Sequence, residues 1–171
     1  MKTIRTPAHP ERRDRKVPER VHDPYRVSEK PAEPVYCPNC TVIYHKGRWK
    51  WPGAQANGAA QGARPELCPA CRRIRDAMPA GEVMIEGWFV APHKDEIIGL
   101  VRRCEHDEGT THPLNRIIAL REEATHLEIT TTDIHLPRRI GEALASAYDG
   151  QLSYHMPTGE YFVRVNWRRD E

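Results

Sequence analysis

Four of the five cysteines fall in two equally spaced pairs, Cys37-Pro-Asn-Cys40 and Cys68-Pro-Ala-Cys71. Two CxxC turns separated by 27 residues supply four soft thiolates, the ligand set of a tetrahedral structural zinc site. A two-residue spacing lets one tight turn aim both sulfurs at a single ion. Residues 36–80 carry no periodic apolar pattern from which to build a core, so this segment needs the metal to fold. The competing readings are a redox pair or disulfides. A reducing compartment disfavours disulfides, and a redox CxxC belongs beside a βαβ pattern, which neither pair adjoins. Four thiolates close the coordination shell, so the one expected Zn2+ is structural and offers water no open position. His45 is then superfluous as a ligand. Cys104 falls on the apolar face of a helical pattern and reads as a buried structural cysteine.

Charge divides the chain. Residues 1–30 carry 9 Lys and Arg against 5 Asp and Glu, residues 31–80 carry 7 against 3, and residues 81–171 carry 10 against 16. A basic front joined to an acidic back suits a polyanionic partner, nucleic acid first. Residues 1–35 hold six of the 15 prolines and almost nothing apolar, so they read as a disordered basic tail. Arg12, Arg13, Arg15 and Lys16 are its RNA-binding candidates. No apolar run approaches a membrane span and no apolar signal segment opens the chain, so a soluble cytoplasmic protein without a membrane partner is expected.

From residue 81 the periodicity is regular. Val83, Ile85, Trp88, Phe89 and Val90 suggest a strand, and residues 93–106 an amphipathic helix on Ile97, Ile98, Val101 and Cys104. A loop at 109–113 leads to strands at 116–121 and 127–132. A second helix spans about 134–148, and strands at 152–154 and 161–167 close the chain. This order predicts an α+β fold, a ferredoxin-like split βαβ two-layer sandwich with one added strand, at 81–171. A zinc ribbon at 36–80 precedes it.

Several surfaces suit RNA. His45-Lys-Gly-Arg-Trp-Lys-Trp51 interleaves Lys46, Arg48 and Lys50 with Trp49 and Trp51, cations for phosphates and rings for bases. The alternative is that the tryptophans pack over the zinc turns. Arg72, Arg73 and Arg75 follow the second turn and would present charge at a fixed place. Arg138 and Arg139 open the second helix, where an anion would relieve them. Equally, the two arginines are solvated and pair with Asp133 or Glu142, and capping of the helix by Thr130, Thr131 and Thr132 is the simpler reading. Arg164, Asn166 and Arg168 share one face of the last strand, toward ligand or solvent. His106, Asp107, Glu108 and His112 read as a charged loop rather than a second metal site. No P-loop, HExxH, GxSxG or GxGxxG after a strand is present, so no enzyme and no small-molecule substrate are expected.

The run Cys68-Pro-Ala-Cys71-Arg-Arg-Ile-Arg-Asp76 followed by Gly81-Glu-Val-Met-Ile-Glu-Gly87 resembles part of the Nmd-type large-ribosomal-subunit export adaptors. The likeness continues through Ile129-Thr-Thr-Thr-Asp133, Arg138-Arg-Ile-Gly-Glu-Ala-Leu144, Gly150-Gln-Leu152 and Tyr161-Phe-Val-Arg-Val-Asn-Trp167. It covers roughly residues 35–168 and extends to a small bacterial family of stand-alone versions. The adaptors' further zinc knuckles and later domains have no counterpart here, so subunit export is not carried over. The resemblance implies a zinc region leading into an α/β segment, and binding to the large ribosomal subunit or its rRNA. The expected function is that of a non-enzymatic rRNA-binding zinc protein in ribosome maturation, protection or hibernation. The alternative is a regulatory zinc-ribbon module that binds a protein partner or DNA.

Overall fold

The computed structural model describes residues 22–26, 31–53 and 62–171. Among them a small sheet and a larger one are joined by a short helix.

The small sheet is built from pieces of two or three residues. These are β1 (Val35–Tyr36), β2 (Ile43–His45), β3 (Arg48–Lys50) and β4 (Arg64–Pro65), in the order β3-β2-β1-β4. Lys46 (φ 52°) and Gly47 (φ 76°) both lie in the left-handed region between β2 and β3. That pair makes the two-residue hairpin turn whose twist matches its strands. The Glu33 carboxylate accepts from both turn amides, at 2.7 and 2.8 Å. The helix α1 (Pro69–Asp76) follows β4. It begins with Pro at its first position and ends on Ala77 in the left-handed conformation, a common helix stop.

The larger body comprises β5 (Gly81–Glu86), α2 (Lys94–Thr111), β6 (Ile117–Glu122), β7 (His126–Thr131), α3 (His135–Tyr148), β8 (Gln151–His155) and β9 (Val163–Arg168). The strand order is β6-β7-β5-β9-β8, with β5 antiparallel to β7 and parallel to β9. The last hairpin therefore inserts its second strand beside β5 and leaves β8 at the edge. Register aligns Val83 with Ile129 and Val165, and Ile85 with Leu127 and Trp167. These six are fully buried together with Ile97 and Val101 of α2 and Leu136, Ile140 and Leu144 of α3. Both helices thus share one core with a single sheet face. The opposite face carries Glu82, Glu128, Arg164 and Arg168. Gly81 permits close packing at the start of α3: a Cβ there would lie 2.4 Å from Pro137 Cγ and 2.8 Å from the Asp133 carbonyl oxygen.

Two boundaries differ from the sequence reading. The first strand ends at Glu86, because Gly87 turns the chain at φ +110° against the Arg169 carbonyl; Trp88 lies outside the strand and is 75% exposed. The first helix runs on through Thr111 rather than yielding to a loop at 109. Glu108 continues the buried stripe of Ile97, Val101 and Cys104 at helical spacing. A carboxylate in that stripe disguises the helix. Its partners are Arg139 Nη1 at 2.8 Å, Asn115 Nδ2 at 2.9 Å and His112 Nδ1 at 3.0 Å.

The segment 1–35 also differs where it is described. Asp23 pairs with Arg73, Arg73 lies over the Tyr25 ring at 4.3 Å, and Val35 is fully buried in β1. Residues 22–26 and 31–35 are therefore folded onto the rest, held by polar and stacking contacts that a lack of apolar residues conceals. No helix among the described residues is long and apolar enough to cross a membrane.

Candidate metal centre

The parallel pairing of β1 with β4, Val35 opposite Arg64 and Tyr36 opposite Pro65, delivers both cysteine turns to the same end of the small sheet. Cys37 leaves β1 directly, and Cys68 follows β4 by three residues. The first turn is closed by Thr41 N–H donating to the Cys37 carbonyl and Cys37 N–H to the Val42 carbonyl, each at 2.8 Å. The second is the start of α1, where Cys68 Sγ accepts from the Cys71 amide at 3.4 Å. The helix's positive end faces these sulfurs, which favours thiolate.

The four Sγ atoms lie within 4.8 Å of one another, and Cys37, Cys68 and Cys71 are buried. Cys40 Sγ and Cys68 Sγ are 3.7 Å apart. A tetrahedral ion with metal–sulfur bonds of about 2.3 Å requires sulfur edges of about 3.8 Å. The arrangement is compatible with a metal site. The acidities of the thiols follow from the same packing. Burial pushes the Cys37 thiol up, but the backbone amides of Cys68, Cys40 and Asn39 outweigh it and bring it down to about 7. Burial drives Cys71 up to about 11 and, with the neighbouring thiolates, drives Cys68 up further. Four thiols this close resist ionising together unless a cation offsets their charge.

The body supplies part of that cation. Arg116, just before β6, points its Nη2 at Cys40 Sγ (3.1 Å) and its Nη1 toward Cys71 Sγ (3.6 Å). Its Nε donates to the Pro113 carbonyl at 2.6 Å. Leu114 packs beside the cysteines, as does Trp49. Trp51 Nε1 donates to the Gly109 carbonyl at the end of α2 (2.6 Å), and Arg116 lies over the Trp51 ring at 5.6 Å. Sequence reading missed Arg116: it lies 76 residues from Cys40, and no local pattern marks it. Comparison of the chain with protein-family models, curated proteins and solved structures finds no significant match in any of the three.

The nucleic-acid candidates separate. Lys46, Arg48, Lys50 and Trp51 are exposed along the β2–β3 hairpin. Trp49 is half-buried and packs on Tyr44, ring centroids 5.4 Å apart. Of the two roles open to the tryptophans, Trp49 takes the packing one.

The α1 arginines do not form one exposed patch. Arg73 is 3% exposed, between Asp23 and the Met78 carbonyl. Arg72 donates to the Tyr25 carbonyl at 3.2 Å, and Arg75 pairs with Asp76 at 2.7 Å. A buried, paired guanidinium cannot grip a phosphate, so Arg73 is withdrawn as an RNA contact.

Arg139 pairs with Glu108 rather than with Asp133 or Glu142, and Arg138 lies over the Tyr154 ring at 6.0 Å. The cap of α3 is Asp133, whose Oδ2 accepts from His135 N–H (2.6 Å) and Leu136 N–H (2.9 Å). Thr131 and Thr132 bond to carbonyls instead. Arg164 faces Glu82 at 3.3 Å and Arg168 faces Asp170 at 2.8 Å. The cysteine set is the one group of three or more His, Cys, Asp or Glu close enough to share an ion among the described residues. His106, Asp107, Glu108 and His112 do not form another. Arg12, Arg13, Arg15 and Lys16 lie outside the described residues.

Proposed function

We propose that the four cysteines hold one structural Zn2+ in a zinc ribbon. The ribbon would be mounted on a ferredoxin-like body with β9 inserted between β5 and β8. We propose further that the whole is a non-enzymatic RNA-binding protein of the ribosome. Zinc is favoured because four thiolates with a sulfur edge near 3.8 Å suit its size, softness and tetrahedral preference. The observation that carries RNA binding is the β2–β3 hairpin. It holds Lys46, Arg48 and Lys50 exposed beside Trp51, whose half-exposed ring is fixed by its bond to Gly109. Cations flanking an immobilised aromatic platform are what single-stranded nucleic acid requires. The large subunit and its rRNA enter through the sequence resemblance, and maturation, protection or hibernation would be the setting.

Sucrose-gradient sedimentation of lysates from growing and stationary cells tests this. Co-migration with the large subunit or whole ribosomes, lost steeply as salt rises, is the expected result. A protein that stays at the top of the gradient at low salt in both states refutes it. A second reading, a regulatory module for a protein partner, is favoured by Trp88, 75% exposed just after β5, in a segment (81–171) with 10 Lys and Arg against 16 Asp and Glu. A protein partner retained at high salt would select it.

A further inference from the structure

Between the β2–β3 hairpin and the body lies a cleft of about 1130 Å³. That exceeds the ~300–1,000 Å³ of an ordinary small-molecule site and suits a run of chain. Arg48, Lys50 and Trp51 line it from the small sheet, while Glu108, Asp133 and His135 line it from the body. Glu108 is fully engaged by Arg139, Asn115 and His112. Asp133 is not. The residue is 6% exposed, and its Oδ2 caps α3, but its Oδ1 is buried without a hydrogen-bond partner. An orphaned buried carboxylate oxygen is costly. A lysine or arginine from this chain would be the cheap remedy, and none among the described residues supplies it. Burial pushes the Asp133 carboxyl up to about 6, so at neutral pH the oxygen is a charged acceptor in need of a donor.

The cations at the mouth suit phosphates, the indole suits a base face, and the orphan oxygen suits an N–H on a base edge. We propose that this cleft takes single-stranded RNA with one base inserted, and that the free Oδ1 of Asp133 accepts a hydrogen bond from that base's exocyclic amino group. Carboxylates read the N4 amino group of cytosine in this way, and splayed single-stranded bases are read on such edges. The inference rests on the RNA reading above. It adds that uracil, which presents a carbonyl where cytosine presents the amino group, is rejected.

The test is tryptophan-fluorescence titration of the full zinc-loaded chain with C10 and U10 RNA at fixed salt. These oligomers differ at the group in question and share size and backbone. Wild type is expected to bind C10 about tenfold more tightly, the discrimination one placed contact to a base edge gives. Asp133→Asn keeps the α3 cap, since Asn caps as well as Asp, but puts an N–H2 where the free oxygen was. The preference should vanish or reverse toward U10, with a thermal midpoint no lower than that of wild type, since the cap is kept and a buried charge is removed. Equal binding of C10 and U10 by wild type, or an unchanged preference in the variant, overturns the inference and leaves the RNA reading standing. Failure of both oligomers to bind at low salt overturns both.

Discussion

Arg116→Met removes the one guanidinium that, among the described residues, hydrogen-bonds the cysteine sulfurs, and keeps an apolar chain of similar length. Two contacts are lost at sulfur, at 3.1 and 3.6 Å. A hydrogen bond to a charged group contributes about 1.5–3 kcal/mol net. The shorter contact earns the lower end of that range, because sulfur is a diffuse acceptor, and the longer one adds little. A loss of about 2 kcal/mol corresponds to about a 30-fold weaker metal site. That falls within the roughly 10–100-fold that removal of an outer-shell partner costs. The sign follows from charge. Four thiolates and a dication leave a net −2, and the guanidinium offsets half of it. Competition against a chromogenic chelator reads the zinc dissociation constant directly. Arg116→Lys should recover only part of the loss, because a point charge cannot span both sulfurs as the fork does. Zinc affinity of Arg116→Met within twofold of wild type would refute the idea that the body helps hold the metal.

Other expectations follow from buried contacts. Gly81→Ala drives a methyl to within 2.4 Å of Pro137 and should cost about 1–3 kcal/mol in urea unfolding, as overpacking does. Arg73→Ala leaves Asp23 without its buried partner and should destabilise by about 3 kcal/mol while leaving the salt slope of RNA binding intact. Lys50→Ala should do the reverse, lowering that slope by about 1 with little change in stability. Asp133 contributes a pH dependence. Its folded carboxyl sits near 6, above the ordinary value of 3.8, through burial and the nearby Glu108, against the pull of the α3 amides and His135. The folded state therefore binds this proton more tightly than the unfolded chain. That contribution to stability is full below about pH 4 and is lost as pH rises through 6. Asp133→Asn should flatten the unfolding free energy over that window.

Elements with internal period were legible in the sequence. The alternation Val163, Val165, Trp167 against Arg164, Asn166, Arg168 appears as strictly alternating burial in β9, because a strand that packs on one face writes that face into every second residue. Where β9 sits was not legible. A hairpin can add by either strand to the edge of β5, and the choice depends on which pairing buries Trp167 beside Ile85, a contact between residues far apart in the chain. The α2 boundary failed for a similar reason: the polar run His106–Thr111 looks like a loop until Arg139 supplies a partner for Glu108. In the small sheet the strands are too short to carry any period. There the cysteine spacing was the whole signal: it brought the four sulfurs together and left the short strands and α1 unread.

The junction between the two parts explains why so much of the candidate site was invisible. It includes single polar groups that reach across, Arg116 to the sulfurs and Trp51 to the Gly109 carbonyl, and Asp133 lines the cleft beside them. Such groups leave no periodic trace, since each answers to one partner in another module. They also tie the two parts together. Arg116 links the cysteine cluster to the body, and the hairpin cations and Asp133 line the cleft between the two parts. The walls of the cleft come from both modules, so its shape depends on the charge balance at the cysteines. If zinc fills the site as proposed, its loss would leave four close thiols beside the Arg116 guanidinium with less to hold them and would loosen the spacing between Trp51 and Asp133. On the zinc and RNA readings proposed above, affinity for C10 RNA should fall as zinc is stripped by a chelator, measured by the same fluorescence titration.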